Sequence, residues 1–170
     1  MKILGIDPGS SLIGYAIIKK GKNNTLTVLD FGCISTEKTT SPTEKIKKIY
    51  KETVNLIKKY NPHLIAVEKI FFFKNLKTAL PVSEARGVIL LAAAHCHKKI
   101  LEYTPLQVKI TITGYGRAQK KQLEKVIKKM VDLKKFNPQE KQRKKDDAFD
   151  ALGVALCAYF SKSSIVKNSS

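Results

Sequence analysis

Apolar positions along the first third of the chain fall into three runs, Lys2–Ile6, Gly14–Ile18 and Leu26–Ile34, rich in Ile, Leu, Val, Phe and Thr. Dense β-branched and aromatic content over five to nine residues predicts strands. The cluster Gly21, Lys22, Asn23, Asn24 is turn chemistry between the second and third runs, so the chain is expected to open with three antiparallel strands. The period then changes. From Pro42 to Tyr60 the apolar residues Ile46, Ile49, Tyr50, Val54 and Ile57 share one helical face with lysines opposite. Ser41 is positioned as N-cap, Pro42 as first helical residue, and Asn61–Pro62 as the stop.

Leu64–Val67 reads as a short buried strand ending at Glu68, Val82–His97 as an apolar helix in which Ala92, Ala93 and Ala94 allow close packing, and Ile100–Thr104 as another strand. Strand, helix, strand in that order calls for a parallel crossover, so the sheet is expected to be mixed. Gln119–Val131 is amphipathic with Leu123, Val126, Ile127 and Met130 inward, and Asp147–Phe160 is a last, mostly apolar helix. Lys109–Thr113 stays open between two readings: its β-branched residues favour a strand, whereas Pro105 and Gly114 would frame a short helix. The polar residues 161–170 are expected to be a disordered tail. The reading is one α/β domain over residues 1–160, with a mixed sheet flanked by helices and no internal repeat.

Composition adds a partner. With 32 Lys plus Arg against 14 Asp plus Glu the formal charge is +18, while 43% hydrophobic residues suffice for a real core in 170 residues. Twelve basic and three acidic residues crowd the stretch from Arg117 to Lys145. Such an excess favours a polyanion, nucleic acid first, because each phosphate neutralised releases condensed counterions. An acidic membrane would also attract it, but no segment joins a basic face to a bulky apolar one, and no apolar run reaches the roughly 20 residues of a membrane span. The opening MKILGIDPGS is not secretory-signal-like, which leads to the expectation of a cytoplasmic protein. Cys33, Cys96 and Cys157 show no zinc-type spacing with His63, His95 or His97 and read as buried or idle thiols.

In so basic a chain the acids are informative. Asp7 and Glu68 each follow an apolar strand, and Asp147 and Asp150, three apart, share one face at the start of the last helix. Each has a plain alternative: Asp7 as turn chemistry with Pro8 and Gly9, Glu68 paired with Lys69 or Lys74, the two aspartates as helix N-terminal charges. Together they are more specific. Carboxylates at buried strand ends are costly unless a cation satisfies them. All-oxygen ligation suits Mg²⁺ or Mn²⁺, and two such ions serve phosphoryl displacement, so the set points to a nuclease.

The segments GIDPGSSLIGYAI, AVEKIFFFKN, SEARGVILLAAA, YTPLQVKITITGYGRAQK and DAFDALGVALC, spread over residues 1 to 160, resemble the RuvC-type Holliday-junction resolvases. The resemblance implies a ribonuclease H-like fold acting as a homodimer on four-way DNA junctions. It implies Asp7, Glu68, Asp147 and Asp150 as metal-binding catalytic acids served by Mg²⁺, two per site, with Mn²⁺ as substitute. Asp146 beside Asp147 remains an alternative third acid. By the same resemblance Lys109 and Lys120 contact DNA near the scissile phosphate, with Lys121, Arg117 and Arg86 as further candidates, and Phe71, first of three consecutive phenylalanines, stacks on opened bases at the crossover. A branch-migration helicase complex is a possible partner on this reading. GIDPGSSLIG also resembles the phosphate-cradling opening of actin-like ATPases and sugar kinases, but such enzymes need two related lobes and these 170 residues hold no second acidic glycine motif. The remaining alternatives are a ribonuclease H-like nuclease acting on RNA or RNA–DNA hybrid and a noncatalytic nucleic-acid-binding protein.

Overall fold

The computed structural model describes residues 1–21, 25–37, 40–70, 76–131, 133 and 142–167. Three strands come first, β1 (Lys2–Asp7), β2 (Leu12–Lys20) and β3 (Leu26–Ser35), followed by helix α1 (Pro42–Tyr60). Then come β4 (Leu64–Glu68), α2 (Leu76–His95), β5 (Lys99–Tyr103), α3 (Pro105–Thr113), α4 (Lys120–Met130) and α5 (Gln142–Lys167). The sheet order is β3-β2-β1-β4-β5, antiparallel across the first three strands and parallel from β1 through β4 to β5. This is the expected mixed α/β sheet. No helix among the described residues is long and apolar enough to cross a membrane.

Strand alternation explains the two cores. On one face Leu4, Ile6, Ile17, Ile65 and Val67 pack with Ile49 and Ile57 of α1 and Ile89 and Ala93 of α2. On the other, Ile3, Ala16, Leu64 and Ala66 pack with Val108 of α3, Leu123 and Ile127 of α4 and the apolar face of α5. Because successive side chains point to opposite faces, Asp7 and Glu68 follow Ile3 and Leu64 in parity and point to the α5 side. That parity decides which helix they meet.

Capping settles the segment that propensity left open. Thr104 Oγ1 accepts from the Gln107 backbone while the Gln107 side chain accepts from the Thr104 N–H, and Pro105 follows at the first position, so 105–113 is helical. Three helix boundaries differ most from the sequence reading. α2 begins at Leu76 and runs through Pro81, at the cost of one i→i−4 hydrogen bond. α5 begins at Gln142, since nothing between there and Asp147 breaks a helix. It also continues past Phe160 to Lys167, with no Gly or Pro in that stretch to stop it. No disulfide joins the cysteines among the described residues; Cys157 is buried and the other two are half-buried.

Candidate active site

β1 and β4 are parallel neighbours paired in register, so their carboxyl ends, Asp7 and Glu68, lie side by side at one end of the sheet. α5 crosses that end closely enough to add two more acids. A Cβ at Gly5 would sit 2.2 Å from the Ala151 carbonyl oxygen and 2.7 Å from the Ala155 Cβ, and one at Gly14 would sit 1.9 Å from the Asp147 carbonyl oxygen. Two glycines without side chains, with Ala148, Ala151 and Ala155 opposite them, let the α5 backbone lie almost directly on β1 and β2. Sequence reasoning missed these contacts. Their signal was glycine inside two strands otherwise made of large residues.

The result is a cluster in which Asp7, Asp147 and Asp150 each offer a carboxylate oxygen within 4.8 Å of the other two. Asp146 is exposed and stands outside this group. Glu68 lines the adjoining cleft, of about 240 Å³, together with Pro105, Val108, Lys109, Lys120, Leu123 and Asp150. Its charge reaches Asp7, and it feels that of Asp150.

The electrostatics follow from like charges in a poorly hydrated place. Burial first, then Glu68, Asp150 and Asp147, push the Asp7 carboxyl from 3.8 up to about 8, against the opposing pull of Lys120. Burial and Asp150 push Glu68 from 4.5 up to about 7, with Lys109 and Lys120 opposing. Asp147 is also raised, by burial and then by Asp150 and Asp146, with Lys120 resisting. Lys120 Nζ donates to Asp150 Oδ2 at 2.8 Å. Although burial alone would lower the lysine, that bond and the surrounding aspartates hold its pKa above the usual value. Protons or cations must compensate four such carboxylates, and an all-oxygen donor set of this kind fits a hard divalent cation. Asp7, Asp147 and Asp150 would hold it, with Glu68 beside them.

The other sequence candidates are scattered. Lys109 and Lys120 line the cleft. Arg117 and Lys121 are exposed at the start of the α4 region. Arg86 instead turns from α2 to Glu102 of β5 in a half-buried ion pair, its Nε buried without a hydrogen-bond partner among the described residues. This placement ties α2 to the sheet edge and does not bring Arg86 into the cleft. Phe71 and its neighbours Phe72 and Phe73 lie outside the described residues. His95, exposed at the end of α2, meets the Tyr50 ring edge-on.

Comparison with known proteins agrees with this geometry. The family model described as crossover junction endodeoxyribonuclease RuvC matches residues 3–158. A relative of that name from Halothermothrix orenii is 46% identical over 157 residues, 92% of this chain and 91% of its own. Another from Alkaliphilus oremlandii is 48% identical over 157 residues, 92% of each chain. The solved structure of T. thermophilus RuvC in complex with Holliday junction substrate superposes with a TM-score of 0.84 at 25% identity, covering 96% of both chains. Family membership carries with it dependence on a divalent metal. A match over residues 3–158, with acids converging at the end of a mixed five-stranded sheet, leads to one conclusion: the chain belongs to the RuvC family of crossover junction endodeoxyribonucleases.

Proposed function

We infer that this chain resolves Holliday junctions by hydrolysing phosphodiesters at the carboxylate cluster, with Asp7, Glu68, Asp147 and Asp150 as the catalytic, metal-holding acids. The observation that carries the reading is the convergence of Asp7, Asp147 and Asp150 within 4.8 Å of one another in a chain of this family. Mg²⁺, two per site and replaceable by Mn²⁺, would supply activation of the attacking water and charge stabilisation at the leaving 3′ oxygen, leaving ligatable 5′-phosphate nicks. The protein's own residues do the rest. The four carboxylates are held by β1, β4 and α5, rigid elements that keep their spacing as substrate enters. Lys109 and Lys120 face the same cleft and supply positive charge for the oxygens of a phosphate seated there. Lys120 gives up its Asp150 partner when the phosphate arrives.

Paired symmetric nicks need two sites, and a homodimer would match the two-fold symmetry of a junction. Support for pairing through α2 comes from its outer face. Leu80 and Leu91 are 71% and 60% exposed on the same side of the helix as the open Gly87, an unusual apolar display for a lysine-rich surface. The exposure of Lys121 and Arg117 beside α4 supports a role in holding DNA, whereas Arg86 acts on DNA only if it leaves Glu102. Phe71 keeps its proposed role at opened bases. A branch-migration helicase complex is a natural partner because a resolvase must meet the crossover at its cutting site, and a DNA-resolving enzyme belongs where DNA is, in the cytoplasm.

The test offers a synthetic four-way DNA junction, linear duplex, single strand and RNA–DNA hybrid to wild type and Asp7→Asn in Mg²⁺ or EDTA, with product ends mapped. Symmetric ligatable nicks confined to the junction, needing Mg²⁺ and falling at least about 100-fold in Asp7→Asn while junction binding persists, are expected. Cleavage of the hybrid in preference to the junction would overturn the substrate, and an active Asp7→Asn would remove Asp7 from the acids.

A further inference from the structure

Beside the carboxylate cleft the basic surface is interrupted by three large apolar side chains. Leu106 and Ile110 of α3 are 56% and 49% exposed, and Tyr115, in the turn after α3, is 58% exposed. Leu106 and Ile110 stand one helical turn apart on the same face, next to Lys109, which lines the cleft. They fold over the backbone of Gly116, where an added Cβ would come within 2.6 Å of Leu106 Cδ1 and 3.4 Å of Ile110 Cγ1. Leu106 and Ile110 therefore meet the turn at Gly116, the residue that directly follows Tyr115.

The turn that presents Tyr115 is held by its own hydrogen bonds. The single Thr113 hydroxyl hydrogen is shared between the Lys109 carbonyl at 2.8 Å and the Tyr115 carbonyl at 3.0 Å, and Thr113 Oγ1 accepts from the Tyr115 N–H at 3.1 Å. Gly114, left-handed at φ 72°, caps α3 by donating to Ile110, and the Ala118 N–H donates back to Tyr115. An exposed aromatic on so well tied a loop loses little entropy when something docks on it.

We propose that Leu106, Ile110 and Tyr115 form an apolar shelf that holds a nucleoside, base and sugar, of the strand whose phosphate occupies the adjoining carboxylate cleft. This rests on the cleft being the cleavage site. A nucleic-acid strand is the occupant that matches the surroundings. Lys109 and Lys120 lie on the cleft side of the patch and Arg117 follows Gly116 directly, so cations and apolar groups alternate as phosphates and bases do. The core of a protein–protein interface is instead depleted of charge. At a crossover the stacking of bases is interrupted, so a platform beside the cut phosphate takes up a face left open.

The experiment uses four-way junctions carrying 2-aminopurine at single positions within three nucleotides of the mapped cut, bound in EDTA so that no strand is cut. Wild type should change the emission at one or two of these positions, and Tyr115→Phe should do the same. Tyr115→Ala, and separately Leu106→Gln with Ile110→Gln, should lose the change and bind about 5- to 150-fold more weakly. The salt dependence of binding should stay as in wild type, since no phosphate contact is removed. All these side chains are exposed, so circular dichroism should show folded variants. Variants with wild-type emission and affinity would overturn the shelf while leaving the cleavage reading intact. Variants that bind junctions normally but lose self-association would overturn it in favour of a contact between copies. Failure of wild type to cut junctions at all would instead strike at the proposed function.

Discussion

Asp7 illustrates how one residue couples stability to ligand binding. Its carboxyl sits at about 8 and that of Glu68 at about 7, against 3.8 and 4.5 for the free groups. Between about pH 4 and 8 the folded protein keeps protons that the unfolded chain has released, so the folded state binds more protons and stability falls as pH rises through that window. The contribution is fully present below about pH 4 and lost above about pH 8. A divalent cation held at these carboxylates would take the place of those protons, so Mg²⁺ should raise the melting temperature more at about pH 8.5 than at about pH 5, with EDTA as reference. Equal shifts at both would mean that the ion stabilises the protein elsewhere. The coupling itself is open to a sharper check. Because Glu68 is the largest charge raising Asp7, Glu68→Gln should move the Asp7 titration downward, followed by carbon-13 NMR of the side-chain carboxyl. An unmoved Asp7 would show that burial and the two aspartates of α5, not Glu68, set its value.

Among the elements, α5 makes the site, and it does so by resting on glycine. A methyl at Gly5 would collide with the Ala151 backbone, and one at Gly14 with that of Asp147, neither of which yields as a flexible side-chain tip would. Gly5→Ala and Gly14→Ala should each cost about 1–3 kcal/mol in urea unfolding, the range for overpacking. Cleavage should fall further in Gly14→Ala than in Gly5→Ala, because the shift begins at the acid itself. Wild-type stability in either would mean that α5 has room to slide. The helices also show where local patterns are decisive and where they are not. α1 begins and ends where Ser41, Pro42 and Asn61 predict, with Asn61 left-handed at φ 44°. α2 overruns its expected start and α5 both of its expected limits because these end signals were hydrophobicity gradients, not caps, and good helix formers simply extend the hydrogen-bonded ladder.

At the scale of the molecule, a formal charge of +18 makes binding to a junction an ion-exchange reaction. If six or more phosphates are neutralised, raising salt from about 50 to 200 mM should weaken junction binding roughly 10³-fold or more, and a shallow dependence would mean that few of the lysines meet DNA. Partner class, the mixed sheet and the family were legible from the order of apolar runs, from charge and from five local motifs, because these are properties of composition and of short-range periodicity. The four acids were legible as residue types at element ends. Three things were not. The choice of Asp147 over Asp146 as neighbour of Asp7 depends on the rotation of α5 about its axis, which Gly5 and Gly14 set from across the sheet. The diversion of Arg86 to Glu102 depends on α2 lying against the edge strand β5. The shelf of Leu106, Ile110 and Tyr115 depends on which face of α3 is left uncovered. Sequence alone determined which chemistry the chain carries, since periodicity and side-chain type are local; the tertiary structure decided which groups face one another, since burial, distance and mutual charge exist only once elements far apart in the chain have packed.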